Sequence, residues 1–96
     1  MLFMVFHEDK DDALALRLAT RSAHLAYVKD FKILFGGPTL ENDLESMNGS
    51  LIIVDLPDLQ AADAFVANDP YTRAGLFKRS TIKPVKQAAG PVLAAD

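Results

Sequence analysis

Four short apolar runs, each bounded by polar or turn-forming residues, recur along the chain. They are rich in aromatic and β-branched residues and too short for an ordinary helix, which is typical of strands. The predicted strands span residues 2–6, 31–35, 50–55 and 77–84. We expect Gly36-Gly37-Pro38 to end the second strand, because paired glycines reach positive φ and proline cannot continue a ladder.

Two stretches of helix-forming residues lie between these strands. The first follows Asp11 and Asp12, repeats leucine near helical spacing and ends near Asp30. Its acids lie at the N-terminal end, where they favour a helix. The second begins at Asp58, a good N-cap, and ends before Pro70, because a residue that precedes proline avoids helical geometry.

The remaining segments complete the order of elements. Residues 39–48 are polar and Asn48-Gly49 is a strong turn signal, which together predict a loop. Residues 70–75 allow one short helical turn, and residues 87–96 form a tail too short for its own core. The order β-α-β-β-α-β predicts an α+β ferredoxin-like fold, in which two helices cover one face of a four-stranded antiparallel sheet.

The other face of such a sheet carries many apolar strand residues. It forms a large exposed apolar patch unless a second copy of the chain covers it. We therefore expect a homodimer that packs sheet against sheet. A cleft between the sheet and the helices is left on each protomer, as a place for a small-molecule ligand.

The composition narrows the class of protein. The 96 residues, half of them hydrophobic, suffice for one domain, which we place at residues 1–96. The absence of cysteine excludes thiol nucleophiles, zinc fingers and iron–sulfur clusters. The formal net charge of −3 argues against nucleic acid as a partner, because phosphate binding needs clustered Lys and Arg.

The apolar N-terminal residues 1–6 resemble neither a targeting signal nor a membrane anchor. They run directly into charged residues, without the basic start and long apolar stretch of a signal peptide. No apolar run approaches the roughly 20 residues that a membrane-spanning helix needs. We therefore expect a cytoplasmic protein with no membrane partner.

His24 is the leading candidate for chemistry. Imidazole is the side chain best suited to move protons near neutral pH, and the chain has two histidines. Asp69 can orient the ring of His24 and stabilise its charged form, provided that the two side chains meet. The alternatives are an ordinary helix histidine and an aspartate that caps a helix begun by Pro70.

Arginines near His24 indicate a site for an anionic substrate. Arg17 and Arg21 lie four residues apart and share a stripe with His24 if the helix is continuous. The alternative is that such arginines are solvated or paired with acids. Ser22 is a further candidate for binding, with a role at a cap or a helix break as the alternative.

Other residues offer weaker signals. Gly37 and Pro38 allow a close approach of backbone to a ligand, with a plain strand end as the alternative. Tyr71 places a hydroxyl beside Asp69, with a tyrosine at the edge of the core as the alternative. His7 is followed by acids, but no third ligand is suitably spaced, so we predict no metal and no cofactor.

Several segments occur in the order seen in the YCII-related family. They are an N-terminal strand, Arg21-Ser22-Ala23-His24-Leu25, Phe35-Gly36-Gly37-Pro38, Asn68-Asp69-Pro70-Tyr71 with Gly75, and Ile82-Lys83-Pro84. The chain resembles that family over almost its whole length. The resemblance implies a dimeric α/β barrel of ferredoxin-like protomers, with His24 and Asp69 as the active-site pair. Because family sequences often have proline where Ser22 stands, it also implies a first helix that is broken there.

The resemblance also bears on activity. One member of the family looks like a dehydrochlorinase of a chlorinated hydroxyhydroquinone, and related barrels include muconolactone isomerases. We expect a cofactor-independent lyase or isomerase of a small cyclic or aromatic molecule, with His24 as general acid/base and Asp69 orienting it. The residues expected to hold the substrate are Arg21, Ser22, Gly37, Pro38 and Tyr71. The alternative is a non-catalytic dimeric module that binds a small metabolite or assists a larger enzyme.

Overall fold

The computed structural model describes residues 1–91, and over these it has four strands and three helices. They are β1 (Leu2–Asp9), α1 (Leu14–Val28), β2 (Lys32–Leu40), β3 (Met47–Asp55), α2 (Leu59–Ala67), α3 (Pro70–Arg73) and β4 (Phe77–Val85). The strands form one antiparallel sheet in the order β2-β3-β1-β4. This confirms the predicted ferredoxin-like α+β fold. Residues 92–96 of the predicted tail lie outside the described part of the chain.

The hydrophobic core lies between the sheet and the helices. Side chains alternate along β1, so its odd-numbered residues point towards the helices and are buried. The core residues are Phe3, Val5, Ile52, Val54, Leu56, Ala62, Phe65 and Val66. α2 closes this core, and its Asp58 cap accepts a hydrogen bond from the Ala61 amide at 2.8 Å. The predicted N-cap is therefore confirmed.

The opposite face of the sheet is mostly apolar. Met4 pairs with Ile53 across β1 and β3, and Phe6 pairs with Leu51. All four side chains are only partly buried, and Phe35, beside Ile53, is 51% exposed. Both helices of ordinary length, α1 and α2, belong to the other face, so within residues 1–91 this face has no helical cover.

β2 and β3 extend further than the sequence predicted. The expectation that Gly36-Gly37-Pro38 ends β2 is wrong, because the strand continues to Leu40. β2 is an edge strand, and proline is tolerated there since its missing amide can face away from the neighbouring strand. The predicted loop over residues 39–48 is consequently wrong as well, and only residues 41–46 connect the two strands.

Asn48-Gly49, predicted as a turn, lies inside β3. Here glycine is required by a close approach of backbones. A Cβ atom at Gly49 would lie 2.1 Å from the carbonyl oxygen of His7, well inside contact distance. The glycine therefore marks a close approach of two paired strands, and the same Asn-Gly sequence is also typical of turns.

α1 is one continuous helix of 15 residues, so the break predicted at Ser22 is wrong. Serine has the amide that proline lacks, and the helical ladder can pass through it. The predicted stripe of Arg17, Arg21 and His24 therefore exists on one helix face. No helix in the described residues is both long and apolar enough to cross a membrane.

Candidate functional site

A cavity of about 490 Å³ lies between α1 and the sheet. Its polar side chains come from α1, the end of that helix, β3 and α3, and they are Arg17, Arg21, His24, Lys29, Ser50 and Tyr71. Its apolar wall contains Leu25, Val28, Phe31, Ile33 and Ile52. The volume lies in the range of small-molecule sites in proteins.

His24 and Asp69 meet at the edge of this cavity. His24 Nδ1 lies 2.9 Å from Oδ1 and 3.1 Å from Oδ2 of Asp69. The Asp69 side chain is fully buried, whereas that of His24 is 12% exposed. Because a carboxylate only accepts, we assign a proton to Nδ1 of His24. In the neutral ring, Nε2 then carries the free lone pair and can accept a proton.

The start of α3 holds Asp69 in place. Its carboxylate accepts a hydrogen bond from the Tyr71 amide at 2.9 Å, and Pro70 occupies the first helical turn. Asp69 is therefore both the predicted helix cap and the partner of His24. The Tyr71 ring stacks on the ring of His24 with centroids 4.2 Å apart and an angle of 18° between the planes. These contacts fix the orientation of the imidazole.

Tyr71 also contacts the arginines of α1. The Arg17 guanidinium lies 4.8 Å from the centroid of the Tyr71 ring. Burial raises the pKa of Tyr71, while the positive charges of Arg17 and Arg21 act in the opposite direction. Because the net direction is upwards, the phenol keeps its proton at neutral pH and can donate a hydrogen bond.

Arg17 is buried and has its own acidic partner. Its Nε lies 2.7 Å from Oδ2 of Asp9, and its terminal nitrogen donates to Oδ1 of Asp9 at 3.0 Å and to Ser50 at 2.9 Å. Burial opposes the charge of Arg17, but the hydrogen bond and the charge of Asp9 outweigh it and raise the pKa of Arg17. The structure therefore shows that Arg17 follows the alternative prediction, in which an arginine of α1 is paired with an acid.

His7 lies in a different environment from His24. It is fully buried, its Nδ1 lies 2.7 Å from the hydroxyl of Ser80, and its ring stacks on Phe77 at 3.8 Å. Within residues 1–91, its Nε2 has no hydrogen-bond partner. Burial lowers the pKa of His7 to about 4, against the opposing charge of Asp69. The ring is consequently neutral at physiological pH.

The structure brings most of the predicted substrate contacts together. Arg21, Gly37, Pro38 and Tyr71 all line the cavity. Ser22 is exposed, and it is not one of the residues that line the cavity. Binding by these residues stays a prediction, because their position shows access to the cavity and not contact with a substrate.

Sequence reasoning missed other parts of the wall. Lys29 follows the last residue of α1 and lies about 80° around the helix axis from Arg21, so the helical period alone does not place it in the cavity. Ser50 and Ile52 face the cavity because of the register of β3. The Asp9 partner of Arg17 likewise depends on how α1 lies across β1, which no local pattern reveals.

A second depression, of about 620 Å³, lies at the end of the sheet around Glu8, Asp11 and Glu41. Although it is larger, it contains no histidine among the described residues that line it. Residues 1–91 also contain no group of three or more histidine or acidic side chains arranged to hold a metal ion. The contacts suited to acid/base chemistry are those of the cavity beneath α1.

Sequence comparisons relate the chain to known proteins. A model of the YCII-related domain matches residues 1–86. Protein YciI of Escherichia coli is 33% identical over an alignment of 96 positions, which covers 91% of this chain and 98% of that protein. An uncharacterized protein of Haemophilus influenzae is 34% identical with the same coverage of each chain.

Solved structures give a consistent picture. The 5-chloro-2-hydroxyhydroquinone dehydrochlorinase of Burkholderia phenoliruptrix AC1100, in complex with 2,5-dihydroxybenzoquinone, is 36% identical with a TM-score of 0.85. The match covers 92% of this chain and 96% of that one. An antibiotic biosynthesis monooxygenase is similar in fold alone, with 19% identity and a TM-score of 0.54 over 95% of this chain and 100% of that one.

Proposed function

This chain belongs to the YCII-related family, and on that basis we propose that it is a cofactor-independent lyase or isomerase of a small cyclic or aromatic molecule. His24 is the general acid/base, and Asp69 orients it. One observation carries the proposal: His24 Nδ1 contacts both oxygens of a fully buried carboxylate at the edge of a cavity. The likeness to a dehydrochlorinase supports a lyase-type reaction.

The tautomer of His24 defines the proton transfer. Nε2 takes a proton from a carbon–hydrogen bond next to a carbonyl group or, in a hydroxylated aromatic, from a ring hydroxyl after the carbon that carries the leaving group has been protonated. The Asp69 carboxylate stabilises the imidazolium that forms. In an isomerisation, the same proton returns to a different carbon. In an elimination, the electron pair of the broken bond forms a new double bond, and the leaving group departs with its own electron pair.

The test is turnover of a panel of hydroxylated aromatics and lactones that includes 5-chloro-2-hydroxyhydroquinone. We expect the wild type to convert at least one compound, measured by product formation and by chloride release. His24→Asn and Asp69→Asn should each lower kcat about 10²- to 10⁴-fold, the usual contribution of acid/base catalysis. Asparagine is also a good N-cap, so Asp69→Asn keeps the start of α3.

Two results would count against this function. One is full turnover in both variants, which would place the chemistry elsewhere. The other is binding of panel compounds by the wild type without any conversion, which is the behaviour of a binding module. Thermal unfolding of each variant serves as the control for loss of structure.

We also propose that two copies pair through the uncovered face of the sheet. Met4, Phe6, Phe35, Leu51 and Ile53 form an apolar patch there, and contiguous patches of this kind mark interaction sites. Both copies present the same patch, so a two-fold arrangement can cover both at once. Such pairing produces the dimeric barrel that the family resemblance implies.

Light scattering after size-exclusion chromatography tests the dimer. The wild type should have twice the mass of one chain, and Ile53→Asp should have the mass of one chain, because a buried unpaired charge opposes association. Asp63→Lys, on the exposed surface of α2, changes a charge away from the patch and should leave the mass unchanged. A monomeric wild type would contradict this pairing.

A further inference from the structure

One arginine of the cavity, unlike its neighbour on α1, is not paired with an acid in the described part of the chain. Arg17 is paired with Asp9, but Arg21, one helical turn further, makes no hydrogen bond or ion pair with any residue in the range 1–91. Among the described residues that line the cavity, none is acidic, whereas Lys29 adds a second cation. Two cations, Arg21 and Lys29, thus face the cavity against one carboxylate at its edge, that of Asp69, which is bonded to His24. The cavity is therefore left with positive charge in excess, although the whole chain is formally negative.

A hydrogen-bond donor shares the cavity with Arg21. Tyr71 lines the same cavity, and its ring lies 4.8 Å from the guanidinium of Arg17, one helical turn before Arg21. Burial raises the pKa of that phenol, so at neutral pH it donates. Arg21 and Tyr71 can thus donate to one oxygen, and charge-assisted bonds to an ionised oxygen are the stronger kind.

The rest of the cavity suits a flat apolar body. Val28, Phe31, Ile33 and Ile52 supply its wall, and no acid lies among them to repel an anion. The His24 ring stacks on Tyr71 at 4.2 Å. An oxygen held by Tyr71 therefore brings the neighbouring ring carbons close to the acid/base residue.

We propose that the substrate is a single-ring organic acid whose ionised oxygen is bound by Arg21 and Tyr71. The ring lies on the apolar wall, and a carbon close to the ionised oxygen faces His24. That this compound is a substrate rests on the proposed function. The inference adds that the compound is an anion and that Arg21 and Tyr71 bind it. Arg21 is the residue that selects the anion, whereas Arg17 stabilises the fold.

Calorimetric titration at neutral pH with two matched pairs of compounds tests the inference. The first pair is 2,5-dihydroxybenzoquinone, a vinylogous acid that is ionised at this pH, and its neutral dimethoxy counterpart. The second pair is 2,5-dihydroxybenzoate and its neutral amide. We expect at least one acid to bind the wild type more tightly than its neutral partner. Arg21→Gln should raise the Kd of that acid about 10- to 100-fold and leave the neutral compound unaffected.

Arg73→Gln is the matched control, because it removes one positive charge from an exposed residue outside the cavity. It should leave all four Kd values unchanged. Equal binding of each acid and its neutral partner, an Arg21→Gln variant that binds the acid as tightly as the wild type, or no binding of either acid would overturn the inference. Binding that depends on Arg21 in a protein without turnover would instead count against the proposed function alone.

Discussion

Two neighbouring regions beneath α1 contain the same residue types in opposite settings. The closed layer consists of the buried residues His7, Asp9, Arg17 and Ser50, in which the arginine has an acid and the histidine has the hydroxyl of Ser80; Arg17 and Ser50 reach the cavity wall. The open site consists of Arg21, His24, Asp69 and Tyr71, in which the arginine has no acidic partner among residues 1–91 and the histidine faces the cavity. The side chains of the two regions differ in burial and in their hydrogen-bond partners. This difference decides which arginine and which histidine are available to a ligand.

The contrast is sharpest on α1 itself. Arg17 is 3% exposed and bonded to Asp9, whereas Arg21, a single turn away, is exposed and has no acidic partner in the described chain. The helical period places both on one face, and nothing in the spacing separates them. One arginine is therefore committed to the fold and the other is available to a ligand.

The largest expected difference is between these two arginines. Arg17→Met leaves the Asp9 carboxylate buried without its partner and should lower the free energy of unfolding by about 3–5 kcal/mol. Arg21→Met removes an exposed cation and should change it by less than about 0.5 kcal/mol. Urea unfolding of the two variants and the wild type measures both values. Similar losses of unfolding free energy in the two variants would show that Arg17 and Arg21 contribute equally to stability, against this distinction between the two regions.

A smaller effect concerns the pH dependence of the stability that His7 contributes. The pKa of His7 is about 4 in the folded protein, below the ordinary value of 6.5 for histidine, so between these values the unfolded chain binds more protons. The contribution of a neutral His7 to stability is therefore complete above pH 6.5 and is lost as the pH falls towards 4. The difference between the folded and unfolded pKa values of His7 corresponds to about 3 kcal/mol of stability.

Urea unfolding between these two pH values, in the wild type and in His7→Phe, measures this contribution. The variant has no imidazole at position 7, so its stability should vary much less over the same range. The pKa values of Asp43 and Asp55 are also lowered, but those carboxylates titrate below their usual value of 3.8, outside this window. An equally steep loss in His7→Phe would show that His7 is not the titrating group.

The smallest expected effect concerns Ser22, the neighbour of Arg21. It is exposed on a continuous helix, so Ser22→Ala should raise the free energy of unfolding by at most about 0.5 kcal/mol through helix propensity. It should not change the affinity for any acid that Arg21 binds. A loss of affinity comparable with that of Arg21→Gln would show that Ser22 takes part in binding the acid.

Local patterns were sufficient for the order of elements, but the contact between His24 and Asp69 needed the family resemblance as well. Short apolar runs and two stretches of helix formers led to the ferredoxin-like fold, because alternation and helical period are local properties of the chain. The contact between His24 and Asp69 was predicted with the help of the family resemblance, and in the structure His24 Nδ1 lies 2.9 Å from Asp69 Oδ1. Their catalytic role stays a prediction.

The errors share a physical cause. Gly36-Gly37-Pro38 and Asn48-Gly49 have the composition of strand ends and turns, but the first lies on an edge strand and the second where the backbones of β1 and β3 come close together. Both positions are determined by the tertiary structure. The pairing of Arg17 with Asp9 and the burial of His7 also depend on the register of strands under α1. These features separate the closed layer from the open site, and local patterns do not contain them.

The most direct test of His24 as the acid/base group is kcat for the compound that the wild type converts, measured in His24→Asn and in His7→Phe. We expect a loss of about 10²- to 10⁴-fold in His24→Asn, because the acid/base group is removed. We expect a rate close to that of the wild type in His7→Phe, because His7 belongs to the closed layer. Full activity in His24→Asn, or an equal loss in a folded His7→Phe, would contradict this assignment.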